Sequence, residues 1–255
     1  MVLNTTRLGD AGTPVAFVHG LFGQGKNFTM FGKALAAEHR VVLIDLPDHG
    51  GSPRSERFDL VGYADAVGEV LVETEPGALV GHSLGGKVAM VLALRRPELL
   101  ERLVVVDVSP VPYSHSAEFE RYLDAMRAID LSTLASRADA DAALVDAVPS
   151  PMVRGFLLQS LRREGDGWRW LLNLDLLARD LDAITDWPDL GDVTPYDGPV
   201  LWVGGADSDY ATPEHAAAMD ALFPRNRRVT VKGAGHWVHS EQPEVFLEVL
   251  RRFVG

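Results

Sequence analysis

Six short, almost unbroken apolar runs constrain this 255-residue chain more than anything else in it. They are VAFVHG at 15–20, VVLID at 41–45, ALVGHS at 78–83, LVVVDVS at 103–109, VLWVGG at 200–205 and RRVTVKG at 227–233. Strands that are apolar at consecutive rather than alternate positions are covered on both faces, as parallel strands are. Amphipathic stretches lie between them. Leu60, Tyr63, Ala64, Val67 and Leu71 share one face of a helix that Asp59 can cap, and Phe246, Val249, Leu250 and Phe253 repeat the pattern near the C-terminus. The helix after residue 83 must stop before Pro97. Strand and helix in alternation predict an α/β fold, a mostly parallel central sheet with helices on both faces.

The alternation fails between residues 112 and 191. Residues 116–131, 136–149 and 151–184 read as helices, and only GWRWLLNL at 167–174 reads equally well as an extended piece. The expected organisation is a core of residues 1–111 and 192–255 with a helical cap (lid) of residues 112–191. Such an insertion belongs over the carboxyl edge of the sheet, where α/β folds place their sites. An insertion that only thickens the core is the plainer alternative.

Composition removes several functions. With 36 acidic and 24 basic side chains the net charge is −12, which opposes non-specific binding to nucleic acid or anionic membrane. The absence of cysteine excludes disulfides, thiolate metal sites and thiol nucleophiles. The first ten residues, MVLNTTRLGD, lack a signal pattern, and no apolar run approaches the roughly 20 residues of a membrane span. A cytoplasmic protein acting on a small molecule, without nucleic acid or stable membrane association, is the expectation. Oligomeric state is not legible.

Gly81-His82-Ser83-Leu84-Gly85 matches G-x-S-x-G, a sharp strand-to-helix turn that projects a serine hydroxyl from its apex. With 24 glycines and 12 serines in the chain, about 0.1 chance matches are expected, so the pattern is informative. Its setting adds weight, because an apolar strand precedes it and GGKVAMVLALRR is a good helix. A serine hydroxyl becomes a nucleophile when a base takes its proton. His236 follows the strand at 227–233 in GAGHWVHSEQPEVF, and the Gly-x-Gly before it favours it over His239. His236-x-x-His239 lacks a third ligand, so no metal is expected. For the acid that orients the base, Asp107 and Asp207 end successive strands, with Asp209 beside the latter, and spacing does not separate them. The oxyanion of an acyl intermediate needs two N–H donors: Leu84, which follows the serine, and Leu21 in HGLFGQG, in preference to Phe22. GLFGQGKN does not match a phosphate-binding loop, because Asn27 stands where Ser or Thr is required.

Together these segments resemble the α/β-hydrolase superfamily over nearly the whole chain. FVHGLFGQGKNF, DLPDHGGSP, GHSLGGKVAM, VVVDVSPVPY, GWRWLLNL and GAGHWVHSEQPE resemble its small serine esterase branch, that of YbfF-type bacterial esterases and ABHD-type mitochondrial relatives. The resemblance implies an α/β-hydrolase fold with a lid and a carboxylesterase-type serine hydrolase without cofactor. It makes Ser83 the nucleophile and His236 the base, and its VDxxPV segment puts the acid at Asp107. GGADSDY departs from the branch by carrying aspartates, which leaves Asp207 as the alternative acid. DLPDHGGSP resembles the family's structural D-x-x-x-H-G-x-S turn. The implied reaction is two-step acyl transfer on carboxylic esters or thioesters of small to medium chains, roughly C2 to C8 for a site of ordinary size. Phe119, Tyr122, Met126, Phe156, Trp168 and Trp170 of the insertion are expected to divide between core and acyl pocket. A cofactor-free haloperoxidase or perhydrolase, a carbon–carbon bond hydrolase, a lyase or a non-catalytic receptor could use the same scaffold. Dehalogenase chemistry is disfavoured, since its nucleophile is an aspartate.

Overall fold

The computed structural model describes every residue except 74, 76, 115 and 116. Each apolar run becomes a strand. β1 (Thr5–Leu8), β2 (Pro14–Val18), β3 (Arg40–Ile44), β4 (Gly77–His82) and β5 (Leu100–Val106) come first, β6 (Leu161–Glu164) and β7 (Gly167–Trp170) lie within the insertion, and β8 (Val200–Gly205) and β9 (Asn226–Val231) follow it. Seven of them form one sheet in the order β1-β3-β2-β4-β5-β8-β9. Six run parallel and only β1 is antiparallel, against β3. Register brings the carboxyl ends to within two residues of one another: His82 lies beside Val106, Val106 beside Val203, and Gly205, two residues on, beside Val231. The residues that follow these four strands therefore meet at one edge.

β1 carries no apolar run, and its burial shows why the sequence hides it. Thr6 and Arg7 are exposed on an edge strand that contributes little to the core.

Successive strand residues feed two cores, as the two-residue repeat of a pleated strand requires. Val15, Phe17, Val80, Val104 and Val203 pack with Phe28, Phe31, Phe246 and Leu250. Phe28 and Phe31 belong to the segment around α1 (Thr29–Leu35), and Phe246 and Leu250 to the C-terminal helix. Ala16, Val18, Leu79, Leu103 and Val105 face the other way, against α2 (Leu60–Val72) and α3 (Leu84–Arg95). Asp59 caps α2 by accepting the Val61 N–H, and Leu60, Tyr63, Ala64, Val67 and Leu71 are its buried face.

The insertion holds α4 (Ala117–Arg127), α5 (Arg137–Leu144), α6 (Pro151–Leu157), α7 (Leu174–Arg179) and α8 (Leu181–Thr185). Leu123, Met126, Leu144, Leu157 and Leu177 are fully buried and continuous with the α2/α3 core. Residues 151–184 are not one helix. β6 and β7 form an antiparallel hairpin in which Glu164 pairs with Gly167, and Gly165 turns the chain at φ 59°. A two-residue turn with a left-handed first position favours glycine there. GWRWLLNL is accordingly extended over its first four residues and leads into α7.

α9 (Ala216–Leu222), α10 (Val238–Glu241) and α11 (Pro243–Val254) complete the chain. Phe246 and Leu250 anchor α11, while Val249 and Phe253 are half-buried at its margin. Phe246 is completely buried and meets Phe31 edge-on at 5.0 Å. Phe246→Ala is expected to lower unfolding free energy by about 3–5 kcal/mol through lost transfer energy and a residual cavity. Urea denaturation measures it, and a loss below about 1 kcal/mol would show that α11 does not seal this face.

Candidate active site

One residue joins β4 to α3. Ser83 has φ 52° and ψ −118°, a conformation that a side chain-bearing residue adopts at a cost of about 1–3 kcal/mol. Its N–H extends the ladder to the Val106 carbonyl at 3.0 Å, and its own carbonyl accepts the Lys87 N–H at 3.0 Å. Close backbone approach holds this turn. A Cβ at Gly81 would lie 2.2 Å from the Gly85 carbonyl oxygen, and one at Gly85 would lie 2.4 Å from that of Val18. Neither position admits a side chain.

The Ser83 Oγ lies 3.0 Å from Nε2 of His236, whose Nδ1 lies 2.9 Å from Oδ2 of Asp107. His236 comes from the loop after β9 and Asp107 directly follows β5, itself at φ 52° with its N–H on the Val203 carbonyl at 3.0 Å. The Asp107 carboxylate is fully buried. Oδ1 accepts the Gly205 N–H at 2.9 Å, and Oδ2 accepts the Ser208 hydroxyl besides His236. A buried carboxylate requires such donors. An acceptor at Nδ1 places the imidazole proton there and turns the Nε2 lone pair toward the serine hydroxyl. The Tyr210 ring stacks on His236 with centroids 4.2 Å apart, and His82 donates from Nε2 to the His236 carbonyl at 2.8 Å.

The other candidates lie elsewhere. Asp207 and Asp209 are exposed, and the Asp207 N–H is engaged by the Ala234 carbonyl at 2.9 Å. The His239 ring is buried beside Phe28, 4.9 Å between centroids, rather than at Ser83. Leu21 and Leu84 both border the cleft above Ser83, and as the first residue of α3, Leu84 has an N–H without an acceptor inside the helix. Phe22, at φ 67°, is buried against Phe119 at 6.0 Å. The loop carrying Leu21 is pinned by His19, which donates from Nδ1 to the Gly20 carbonyl (2.8 Å) and accepts the Leu46 N–H at Nε2 (3.0 Å).

The cleft is walled by Leu21, Leu84, Val108, Phe119, Ile184 and Tyr210 among others, so residues from 112–191 and from the rest of the chain face each other across Ser83. It spans about 390 Å³ but holds a free cavity of only about 30 Å³. Tyr122 and Met126 are core residues, as is Trp170, whereas Phe156 sits on Trp237 and Trp168 lies among arginines 137 and 163. Sequence reasoning did not reach Ser208, Tyr210, His19, His82 or Lys87. Ser208 and Tyr210 stand in GGADSDY, where the aspartates were the visible feature. Among the described residues no cluster of three or more His, Asp or Glu is placed to hold a metal, and no helix is long and apolar enough to cross a membrane.

Residues 15–249 match the model of the Alpha/beta hydrolase family. The chain is 40% identical to the sn-1-specific diacylglycerol lipase ABHD11 of Mus musculus, over 96% of this chain and 82% of that protein. It is 31% identical to the esterase YbfF of Escherichia coli K12, over 95% and 93%. A solved marine microorganism esterase superposes with a TM-score of 0.95 at 28% identity, covering 99% of each chain.

Behind the serine the sheet edge is lined by imidazoles kept neutral by burial. Burial and then the neighbouring His49 pull His19 down to about 3, burial and then His236 bring His239 to about 3, and burial also lowers His49 and His82. Each takes up a proton in the unfolded chain near pH 6.5 more readily than in the folded one, so stability is full above that pH and falls as pH drops below it, for His19 and His239 down to about 3. His239 Nδ1 has no partner among the described residues and its ring lies among Phe28, Phe31 and Phe246. His239→Phe is expected to make the acid loss shallower by up to about 1.4 kcal/mol per pH unit, one proton's worth. Urea unfolding at pH 6.0 and 4.5 reads this; an unchanged slope would refute the neutral state of that imidazole.

Proposed function

This chain belongs to the α/β-hydrolase family and is a hydrolase of the esterase and lipase type, and from that premise we propose that it cleaves carboxylic esters, and by the same chemistry thioesters, of small to medium acyl chains through an acyl-serine intermediate. The observation that carries the reading is the hydrogen-bonded chain from Ser83 through His236 to the buried Asp107. Ser83 Oγ attacks the carbonyl carbon while His236 Nε2 takes its proton. Asp107 holds the tautomer with Nδ1 protonated and offsets the charge of the imidazolium. The N–H groups of Leu84 and Leu21 stabilise the oxyanion, each such donor being worth about 3 kcal/mol of barrier. The imidazolium then protonates the departing alcohol or thiol. Water, deprotonated by the same ring, attacks the acyl-enzyme and releases the acid.

Residues 112–191 act as a cap in this reading, since Phe119 and Ile184 close the cleft opposite Leu21 and Leu84. The small free cavity supports a short acyl group, with longer chains entering only as the cap yields. The name of the mouse relative, an sn-1-specific diacylglycerol lipase, supports carboxylic esters as the substrate class.

Ser83→Ala is expected to abolish hydrolysis of p-nitrophenyl esters from acetate to octanoate. Asp107→Asn should lower kcat by about 10⁴, because the ring is then held in the wrong tautomer. Asp207→Asn should stay within about threefold of wild type, as an exposed carboxylate away from the base would. Steady-state kinetics on the three variants check this. Turnover that survives Ser83→Ala, or an inactive Asp207→Asn beside an active Asp107→Asn, would overturn the assignments; ligand binding without any turnover would favour a receptor.

A further inference from the structure

Lys87 sits one turn after Ser83 on α3, is only 3% exposed, and borders the cleft. Its ammonium donates to three backbone carbonyls at the carboxyl end of α8: Thr185 at 2.5 Å, Asp186 at 2.7 Å and Ile184 at 3.4 Å. None of these partners is a carboxylate. The Tyr113 ring lies 5.0 Å from Nζ. A buried cation is tolerated here because it meets the negative end of a helix, whose last carbonyls have no acceptor role inside it.

We propose that Lys87 is a positioning residue that sets the depth of the acyl pocket by latching the end of α8 onto the helix that begins at Ser83. The proposal rests on the ester-hydrolase reading of Ser83. In the proposed pose the leaving oxygen faces His236, which protonates it, and the acyl chain lies against Ile184 and Thr185, which line the same cleft. Those two residues form the cleft wall that Lys87 holds. The other end of α8 is fastened separately, by Asp180 accepting the Phe58 N–H at 2.8 Å. The Thr185 carbonyl also takes the Tyr113 N–H at 3.0 Å. Without the ammonium, the Asp186 carbonyl loses a buried donor and turns toward water, since an unpaired buried carbonyl is costly. Ile184 and Thr185 then swing outward and the pocket lengthens.

The latch is sensitive to pH because burial pulls the Lys87 ammonium down to about 7, against the favourable charge of Asp186. Above that pH the neutral amine keeps two N–H donors and no charge, and holds α8 more weakly. The other titratable groups around the cleft are Tyr113, pushed up to about 12, Tyr210, also raised, and the His236–Asp107 pair. On the far side of α3, Asp65 and Glu69 of α2 pair with Arg95 and Arg96 instead.

The test is the ratio of kcat/KM for p-nitrophenyl hexanoate to that for the acetate, from pH 6.0 to 8.5, in wild type and Lys87→Met. An effect common to both esters cancels from the ratio. In wild type the ratio should rise with pH, with a midpoint near 7. In Lys87→Met it should be about tenfold above the wild-type value at pH 6.0 and flat with pH, the change residing in KM for hexanoate. A Lys87→Met ratio equal to wild type at pH 6.0, or an equal Lys87→Gln ratio should the methionine variant not fold, overturns the latch, and a wild-type ratio that does not move with pH refutes its pH sensitivity. Ser83→Ala run alongside separates the two claims: turnover that persists there refutes the site itself, whereas Ser83-dependent turnover with an unchanged ratio refutes only the role of Lys87.

Discussion

Everything at this sheet edge depends on how closely two backbones approach beside residue 83. The chain reverses from strand to helix across one residue, and the space is so small that Gly81 and Gly85 would each drive a Cβ to within 2.4 Å of a carbonyl oxygen. That crowding keeps Ser83 at positive φ and lifts its hydroxyl clear of both elements. The parallel register then does the rest. Because β4, β5, β8 and β9 end within two residues of one another, a carboxylate after β5 and an imidazole after β9 reach the serine from neighbouring loops without any long excursion. Asp107 repeats the device on a smaller scale, its own positive φ turning the carboxylate inward onto the Gly205 N–H and the Ser208 hydroxyl.

The support around these groups is made largely of neutral polar contacts in low dielectric. His19 fixes the loop of Leu21 and His82 fixes the carbonyl of His236, each as an uncharged ring with a donor at one nitrogen. A protonated ring in either place would add a buried positive charge next to His236. Neutrality by burial thus preserves the geometry of the serine, and it exposes the whole assembly to acid.

The sheet was legible because parallel strands covered on both faces must be apolar at every position, and G-x-S-x-G was legible because the turn excludes side chains at both glycines. β1 escaped notice as an exposed edge strand with TTRL for a sequence. The hairpin at 161–170 was hidden inside what reads as a long helix, although Gly165 carries the turn. Asp107 and Asp207 follow adjacent strands at the same edge, so chain order and spacing are alike for both. Burial and the direction of one carboxylate separate them, and those arise only when β5 and β8 pack together. Lys87 reads as an ordinary helix lysine, because the carbonyls it binds stand 97 to 99 residues further on in the chain.

The central claim is that the Ser83 hydroxyl is activated by His236. Reaction with an alkyl fluorophosphonate tests it most directly, since the attacking oxygen displaces fluoride and keeps the phosphonyl group. Intact-mass measurement followed by peptide sequencing should find one adduct per chain, on Ser83, forming at least a hundredfold more slowly in His236→Ala (about the contribution of a general base). An adduct on another residue, or none while ester hydrolysis proceeds, would contradict the account.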